Sequence, residues 1–194
     1  MFGSLTGIIV PVIVIILVIV LIVAIIKSYN GLVELRNKVK NAWAQIDVQL
    51  KKRFDLIPNL VETVKGYATH EKDIWEAFAQ ARGSYTRASQ SDDVEGMAKA
   101  NQSLGTALSR LLIVQEQYPE LKANSNFQTM MNDLKDGENQ IQYTRQFYND
   151  IVLKYNNKCE MFPSIIIAKM FGFKAAKFFE VTDEAQREAP KVQF

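Results

Sequence analysis

The first pattern along the chain is an unbroken apolar run from residue 8 to residue 26, IIVPVIVIILVIVLIVAII. As an α-helix, nineteen residues rise about 28 Å, and the hydrocarbon core of a bilayer is about 30 Å thick. A buried helix of a soluble protein normally keeps one polar face, and this run has none. The pattern therefore predicts a transmembrane anchor over residues 8–27, preceded by a short tail over residues 1–7.

A second pattern begins after the anchor, where apolar residues recur at steps of three or four. This spacing is typical of a helix with one face turned toward a core. Pro58 falls within the pattern, and because proline removes one backbone hydrogen bond, we expect one helix bent near residues 55–58. The stripe consists of Leu32, Leu35, Val39, Trp43, Ile46, Leu50, Phe54, Ile57, Val61, Val64 and Ala68.

Local signals predict three further helices. Residues 66–70 form a turn, Thr69 caps a helix that starts at His70, and residues 84–91 form a polar linker. Two capping-box pairs predict where the next helices open, Asp92 with Glu95 and Ser125 with Gln128.

The last of these helices has the most regular pattern, a 3.5-residue repeat typical of left-handed helix packing. Gly137 lies in this seam and predicts a close approach by a neighbouring helix, because glycine otherwise weakens a helix. No segment alternates with period two, so no sheet is expected. The predicted fold is all-α: an N-terminal transmembrane helix, then an antiparallel up-and-down four-helix bundle over residues 29–160. The seam consists of Phe127, Met130, Leu134, Gly137, Ile141, Thr144, Tyr148, Ile151 and Tyr155.

A short amphipathic segment over residues 161–179 follows the bundle, and a polar tail covers residues 180–194. Pro163 and Ser164 start a helix that is too short to cross a bilayer. Lysines interleave with apolar residues here, a pattern typical of a segment at a membrane surface. The alternative is a strap folded onto the open end of the bundle. The apolar residues concerned are Met170, Phe171, Phe173, Phe178 and Phe179.

The apolar run resembles an uncleaved anchor more than a removable signal peptide. No Lys or Arg precedes it, and it ends without an Ala-x-Ala site. Lys27, Arg36, Lys38 and Lys40 follow it closely. The positive-inside tendency then places the N-terminus outside and the bundle in the cytoplasm.

Charge and cysteine content narrow the class of protein. The net charge is +2, from 23 basic and 21 acidic residues that are interleaved, so no nucleic-acid partner is expected. The single cysteine cannot form an internal disulfide, which agrees with a reducing compartment.

Motifs for catalysis are missing from the sequence. No Glu has a His three residues later, so the dimetal pattern of four-helix bundles does not occur. His70 is interpreted as a turn residue, and Cys159 as a small apolar filler near a helix end where the dipole disfavours a thiolate. We therefore predict no catalytic, cofactor-binding or metal-binding residues and no enzymatic activity.

One polar cluster surrounds Pro58 and has two interpretations. Its members are solvated charges and partners for backbone groups freed by proline, or they form a recognition patch for a docking partner. Trp43 and Trp75 fit the core stripe, with an interface anchor as the alternative. The cluster consists of Asp47, Arg53, Asp55, Asn59 and Glu62.

Four long segments resemble the LemA family. They are YNGLVELRNKVKNAWAQIDVQLKKRFDLIPNLVETVKGYATHEK (29–72), YPELKANSNFQ (118–128), FPSIIIAKMFGF (162–173) and FEVTDEAQREAPKVQF (179–194). The resemblance extends over nearly the whole chain. It implies a bacterial inner-membrane protein with a helical body and without established catalysis. It also implies a link to zinc membrane peptidases of the HtpX type and to membrane-protein quality control.

Two functions are consistent with these features. The first is a single-pass, membrane-anchored scaffold or adaptor that binds other membrane proteins and forms homo-oligomers. The second is a membrane-shaping or lipid-organising module that uses the anchor and residues 162–179.

Overall fold

The longest element is helix α1, Phe2–Lys65. The structure, a computed structural model, describes residues 2–68 and 71–181, with side chains described from Val10 onward. The large apolar side chains from Val10 to Val23 are 44–62% exposed. Within the described residues, α1 is the one helix long and apolar enough to cross a membrane.

The second part of α1 buries most of the predicted stripe, although Leu35 and Trp43 are half-buried. Leu32, Ile46 and Leu50 are fully buried, and the helix continues unbroken past Pro58, as predicted. Leu60 is fully buried where the pattern indicated Val61. Either residue continues the three-four spacing from Ile57 to Val64, so the choice depends on packing.

Helices account for all the regular structure in the described residues, which confirms the all-α prediction. The remaining elements are α2 (Lys72–Gln90), α3 (Val94–Val114), a 3-10 turn (Gln115–Gln117), α4 (Pro119–Ala123), α5 (Ser125–Glu160) and α6 (Ser164–Met170).

The predicted polar linker over residues 84–91 is wrong, because α2 continues to Gln90. Ala88 is buried, and this tertiary contact outweighs the local preference of the serines for a loop. The helix ends in a Schellman motif: Asp92 has φ +50°, and the Asp93 amide donates to the Ala88 carbonyl at 2.9 Å.

The capping predictions are also corrected. Asp93, and not Asp92, precedes α3, and it makes no side-chain cap. At α5 the cap is Asn124, whose Oδ1 accepts from the Phe127 amide at 3.0 Å. Asn124 lies one residue before the predicted Ser125 and takes the amide that a capping serine normally binds.

Other predictions are only partly covered. The turn after α1 is present at Gly66 and Tyr67, and α2 begins after Glu71. The Thr69 cap and His70 lie outside the described residues, as does the polar tail from residue 182 onward.

The chain divides into two compact units, of which the first contains the described residues of 1–42 and 150–176. Tyr29 makes edge contacts with Phe171 and Phe173 at 4.8 and 5.7 Å between ring centroids. The Arg36 guanidinium lies 5.1 Å from the Phe173 ring centroid. These contacts join the middle of α1 to the residues after α6.

The second unit contains the described residues of 43–149 and 177–194. Phe54 of α1 stacks on Tyr85 of α2 with 4.1 Å between centroids. Trp43 packs beside Tyr148 and Phe179 at 5.6 and 5.9 Å. Residues from distant parts of the sequence therefore form two sets of aromatic contacts in this unit.

The segment over residues 161–179 has features of both predicted alternatives. In the first unit, Ile167 and Ala168 of α6 are buried, whereas Met170 and Phe171 are more than half exposed. In the second unit, Phe179 is 2% exposed, so it is a core residue.

Candidate functional site: a buried arginine beneath a groove

Arg53 is the one residue of the predicted polar cluster that lies in the core, at 4% exposure. Asp55, Asn59 and Glu62 are exposed, and Asp47 is half-buried. The structure therefore does not assemble these five residues into a recognition patch. Asp47 and Asp55 instead act on Tyr85, whose pKa is raised mainly by burial and further by these two carboxylates.

Arg53 is paired with residues of two other helices. Its Nη1 donates to Glu138 of α5 and to Asn101 of α3. The Asn101 amide donates to Glu138 Oε2 at 3.4 Å, and Gln142 donates to Glu138 Oε1 at 3.3 Å. Burial lowers the pKa of the Arg53 guanidinium, while the Glu138 carboxylate opposes that shift. Because a buried charge is costly unless paired, this network fixes α1, α3 and α5 together.

Gly137 of α5 packs against the aliphatic part of the Arg53 side chain. A Cβ at Gly137 would lie 3.9 Å from Arg53 Cβ and Cγ, which is ordinary contact. The neighbouring helix at this glycine is therefore α1, which approaches it through the Arg53 side chain. Its neighbour is the aliphatic stem of an arginine, which can cover apolar surface while its head is paired.

Two cavities flank this network between α3 and α5. Their volumes are about 610 and 590 Å³, and Gly105, Ser109 and Glu138 line both. Asn101 and Arg145 line the first, which is polar, whereas Leu112 and Met131 line the second. Together they form a groove, here called the α3–α5 groove.

The polar side chains beneath the groove bond mainly to one another. Both Glu138 oxygens accept hydrogen bonds, so this carboxylate is already committed within the fold. Arg53 Nε is buried without a hydrogen-bond partner among the described atoms. The described residues contain no group of three His, Cys, Asp or Glu able to hold a metal.

Cys159 and the two tryptophans complete the set of candidates. Cys159 is 7% exposed, and burial raises the pKa of its thiol. Trp43 and Trp75 are half-buried, and Trp75 lines a shallow recess with Pro58.

The sequence did not single out Asn101 and Glu138, because each lies among other polar residues and matches no motif.

Comparison with known proteins places these residues within a family. The LemA family model matches residues 42–194. Magnetosome protein MamQ 2 of Paramagnetospirillum magneticum is 24% identical over 179 residues, covering 80% of this chain. Magnetosome protein MamQ of Magnetospirillum gryphiswaldense is 22% identical over 178 residues, also 80% of the chain.

A relative with the family's own name is also similar. Protein LemA of Metamycoplasma hominis is 21% identical over 154 residues, which cover 79% of this chain and 69% of that protein. The chain spans 66% of the length of MamQ 2 and 65% of the length of the gryphiswaldense MamQ.

Proposed function

Because the chain belongs to the LemA family, we propose that it is a membrane-anchored, non-enzymatic scaffold that binds proteins through its helical body. The observation that carries this proposal is the continuity of α1. One helix supplies the exposed apolar run from Val10 onward and the fully buried Leu32, Leu50 and Leu60 of the body. Apolar side chains exposed over this length are stable in hydrocarbon and costly in water.

The body supplies surfaces for protein contact. Ile113 on α3 is 70% exposed, and Tyr143 and Phe147 on α5 are 73% and 49% exposed. Aromatic residues are enriched at protein interfaces. In this proposal the long helices α1, α2, α3 and α5 form the antiparallel up-and-down bundle, and the partners are further copies of the chain or other membrane proteins. A zinc membrane peptidase of the HtpX type and a role in quality control remain predictions of the family resemblance.

Location and orientation are part of the same proposal. The protein crosses the bacterial inner membrane once, with its N-terminus outside, because Lys27, Arg36, Lys38 and Lys40 all follow the apolar run. Carbonate extraction of native membranes tests the anchor, since an integral protein stays in the pellet. Protease treatment of intact spheroplasts and of inverted vesicles tests the orientation, and digestion of the body in intact spheroplasts would contradict it.

Site-specific crosslinking tests the scaffold role. A photoreactive residue at Ile113 in the full chain is expected to crosslink to a second copy or to one discrete membrane protein. The matched control carries the same residue at Lys72, whose side chain is 83% exposed on α2. Yields at Ile113 no higher than at Lys72, together with a monomeric mass in mild detergent, would contradict the scaffold.

Exposed apolar residues around α6 favour a second candidate, a lipid-organising module. Phe162 is 81% exposed, and Ile166 and Met170 are 55% and 62% exposed. These residues are better probes than Phe173, which packs against Tyr29 and Arg36. Brominated lipids are expected to quench a tryptophan at Phe162 and not a control tryptophan at Phe147. Equal quenching at both positions would remove this candidate.

A further inference from the structure

We propose that a basic cavity in the first unit binds the phosphate of an anionic phospholipid headgroup. The cavity has a volume of about 580 Å³ and lies between α1 and α5, beside the turn that leads to α6. Lys27 comes from α1, and Lys154 and Lys158 come from α5. This inference rests on the proposed membrane anchoring and adds a ligand to it.

The charge of the cavity is of one sign. Among the residues that the structure describes, no Asp or Glu lines it. Within the described residues, none of the three lysines makes an ion pair, although Asp150 and Glu160 are near Lys154 and Lys158 in sequence. Three lysines that line one cavity without an ion-pair partner among the described residues are the arrangement expected of an anion-binding site.

Polar groups that can orient a phosphate line the same cavity. Ser28 Oγ is shielded from solvent and has no hydrogen-bond partner among the described atoms. A buried hydroxyl without a partner is uncommon, and a phosphate oxygen would satisfy it. The Asn157 side chain also lines the cavity and offers an amide donor.

The position of Lys158 is supported by packing. A Cβ at Gly31 of α1 would lie 3.7 Å from Lys158 Cε and 4.0 Å from its Nζ. The end of the lysine side chain therefore lies against α1. Lysines that flank a transmembrane helix usually follow it directly in sequence. Of the three cavity lysines only Lys27 does so, whereas Lys154 and Lys158 come from α5.

Membrane depth selects a lipid headgroup as the ligand. Lys27 is the first charged residue after the apolar run, and Ala24 of that run lines the cavity. Met161 and Phe162 also line the cavity and are 63% and 81% exposed. A phospholipid fits this combination because its phosphate meets the lysines while its chains meet the apolar residues. Basic pockets beside transmembrane helices are known to bind anionic headgroups.

The experiment measures lipid binding by the full-length protein in mild detergent. Dioctanoyl phosphatidylglycerol is titrated and bound lipid is counted by native mass spectrometry, with dioctanoyl phosphatidylcholine as the neutral comparison. The test variant is Lys27→Gln/Lys154→Gln/Lys158→Gln. The control variant Lys40→Gln/Lys51→Gln/Lys52→Gln removes the same charge from exposed positions outside the cavity.

We expect the cavity variant to bind phosphatidylglycerol at least tenfold more weakly and the control variant to change by less than twofold. Equal losses in the two variants, or equal affinity for the two lipids, would overturn the proposal. Displacement of the lipid by inorganic phosphate at equal concentration would also overturn it, because the site would then be one for free phosphate.

Two further measurements keep the test decisive. The single variant Lys158→Gln serves as the test if the triple variant does not fold. It should weaken lipid binding about threefold to fivefold while preserving the circular dichroism spectrum. Carbonate extraction is scored separately. A protein that leaves the membrane but binds the lipid in detergent refutes the anchor alone, whereas a retained protein without lipid selectivity refutes this site alone.

Discussion

Each of the two units places a basic side chain against a glycine, but only one of the two charges is paired within the fold. Arg53 of α1 lies against Gly137 of α5 in the second unit, and Lys158 of α5 lies against Gly31 of α1 in the first. Arg53 is buried and paired with Glu138. Lys158 lines an open cavity with two other lysines and makes no ion pair within the described residues.

The difference separates a structural charge from one that can bind a ligand. A buried guanidinium is tolerated only when the same fold supplies a carboxylate or another acceptor for it. Arg53 therefore has a structural role, which is to hold three helices together. Lysines in an open cavity stay hydrated and keep their charge for an external anion. Pairing therefore separates Arg53, which acts within the fold, from the cavity lysines, to which the proposal above assigns a ligand.

The largest expected effect comes from making Arg53 as unpaired as the lysines. Glu138→Ala leaves a buried guanidinium without its carboxylate and should lower the free energy of unfolding by about 3 kcal/mol. Thermal denaturation of the full chain in mild detergent measures the change.

Two matched variants show whether the loss comes from the unpaired charge. The exposed Glu62→Ala should change the stability by less than about 0.5 kcal/mol. Arg53→Met/Glu138→Leu removes both charges and should recover most of the loss. A double variant as unstable as Glu138→Ala would show that packing, and not charge, dominates at this site.

An intermediate effect is expected for two asparagines of α5, one in each unit. The Asn156 side chain donates to the Ala176 carbonyl at 3.0 Å and accepts from its amide at 2.8 Å. Asn149 makes the same pair of bonds with Phe179, at 3.3 and 2.9 Å. Asn156→Ala and Asn149→Ala should each cost about 2 kcal/mol, since each removes two hydrogen bonds.

Limited proteolysis after residue 173 measures these variants, and cleavage should accelerate in both. A fast cut in the Asn149 variant alone would show that the C-terminal segment is held chiefly in the second unit.

A smaller effect belongs to Tyr148, whose hydroxyl donates to the Lys177 carbonyl at 2.8 Å in the second unit. Tyr148→Phe should cost about 1 kcal/mol at neutral pH. Burial raises the pKa of Tyr148 to about 12, above its value of about 10 in an unfolded chain. The stabilisation is therefore fully present below pH 10 and is lost as the pH rises from 10 to 12.

Denaturation midpoints at pH 8, 10 and 11.5 should fall less steeply for Tyr148→Phe than for the natural chain. Tyr155, with a pKa also raised to about 12, and Tyr85, whose pKa is raised mainly by burial, remain in both proteins and contribute to the residual slope. Parallel curves for the two proteins would mean that Tyr148 ionises as easily in the folded state as in the unfolded state.

The smallest effect is expected for replacing either of the two glycines, Gly137 or Gly31, by alanine. A Cβ at either Gly137 or Gly31 meets its neighbour at 3.7–3.9 Å, so alanine should raise stability by up to about 1 kcal/mol through helix propensity. Gly96→Ala is the contrast, because its Cβ would lie 2.5 Å from Asp93 Oδ2 and 3.0 Å from Ala88 Cβ. A gain at Gly96 equal to the others would show that α2 and α3 can separate at no cost.

The sequence by itself determined that the chain is helical and where its apolar run lies. It also placed the stripe from Leu32 to Ala68, because a 3.6-residue period is a local property that needs no knowledge of neighbours. Only the tertiary structure decided that Leu60 is buried in place of Val61, that α2 continues past Ser84, and that Asn124 caps α5. Each of these outcomes depends on a contact or a competing group that the local pattern does not encode.

The same limit applies to the candidate sites. The sequence singled out Arg53 but assigned it neighbours on its own helix, whereas its partners Asn101 and Glu138 come from α3 and α5. The sequence identifies Lys27 as a flanking charge of the apolar run, but only the fold places it in one cavity with Lys154 and Lys158. Periodicity tells which face of a helix is buried, while the pairing of charges across helices is a matter of distance in space, and that distance is set only once the helices pack.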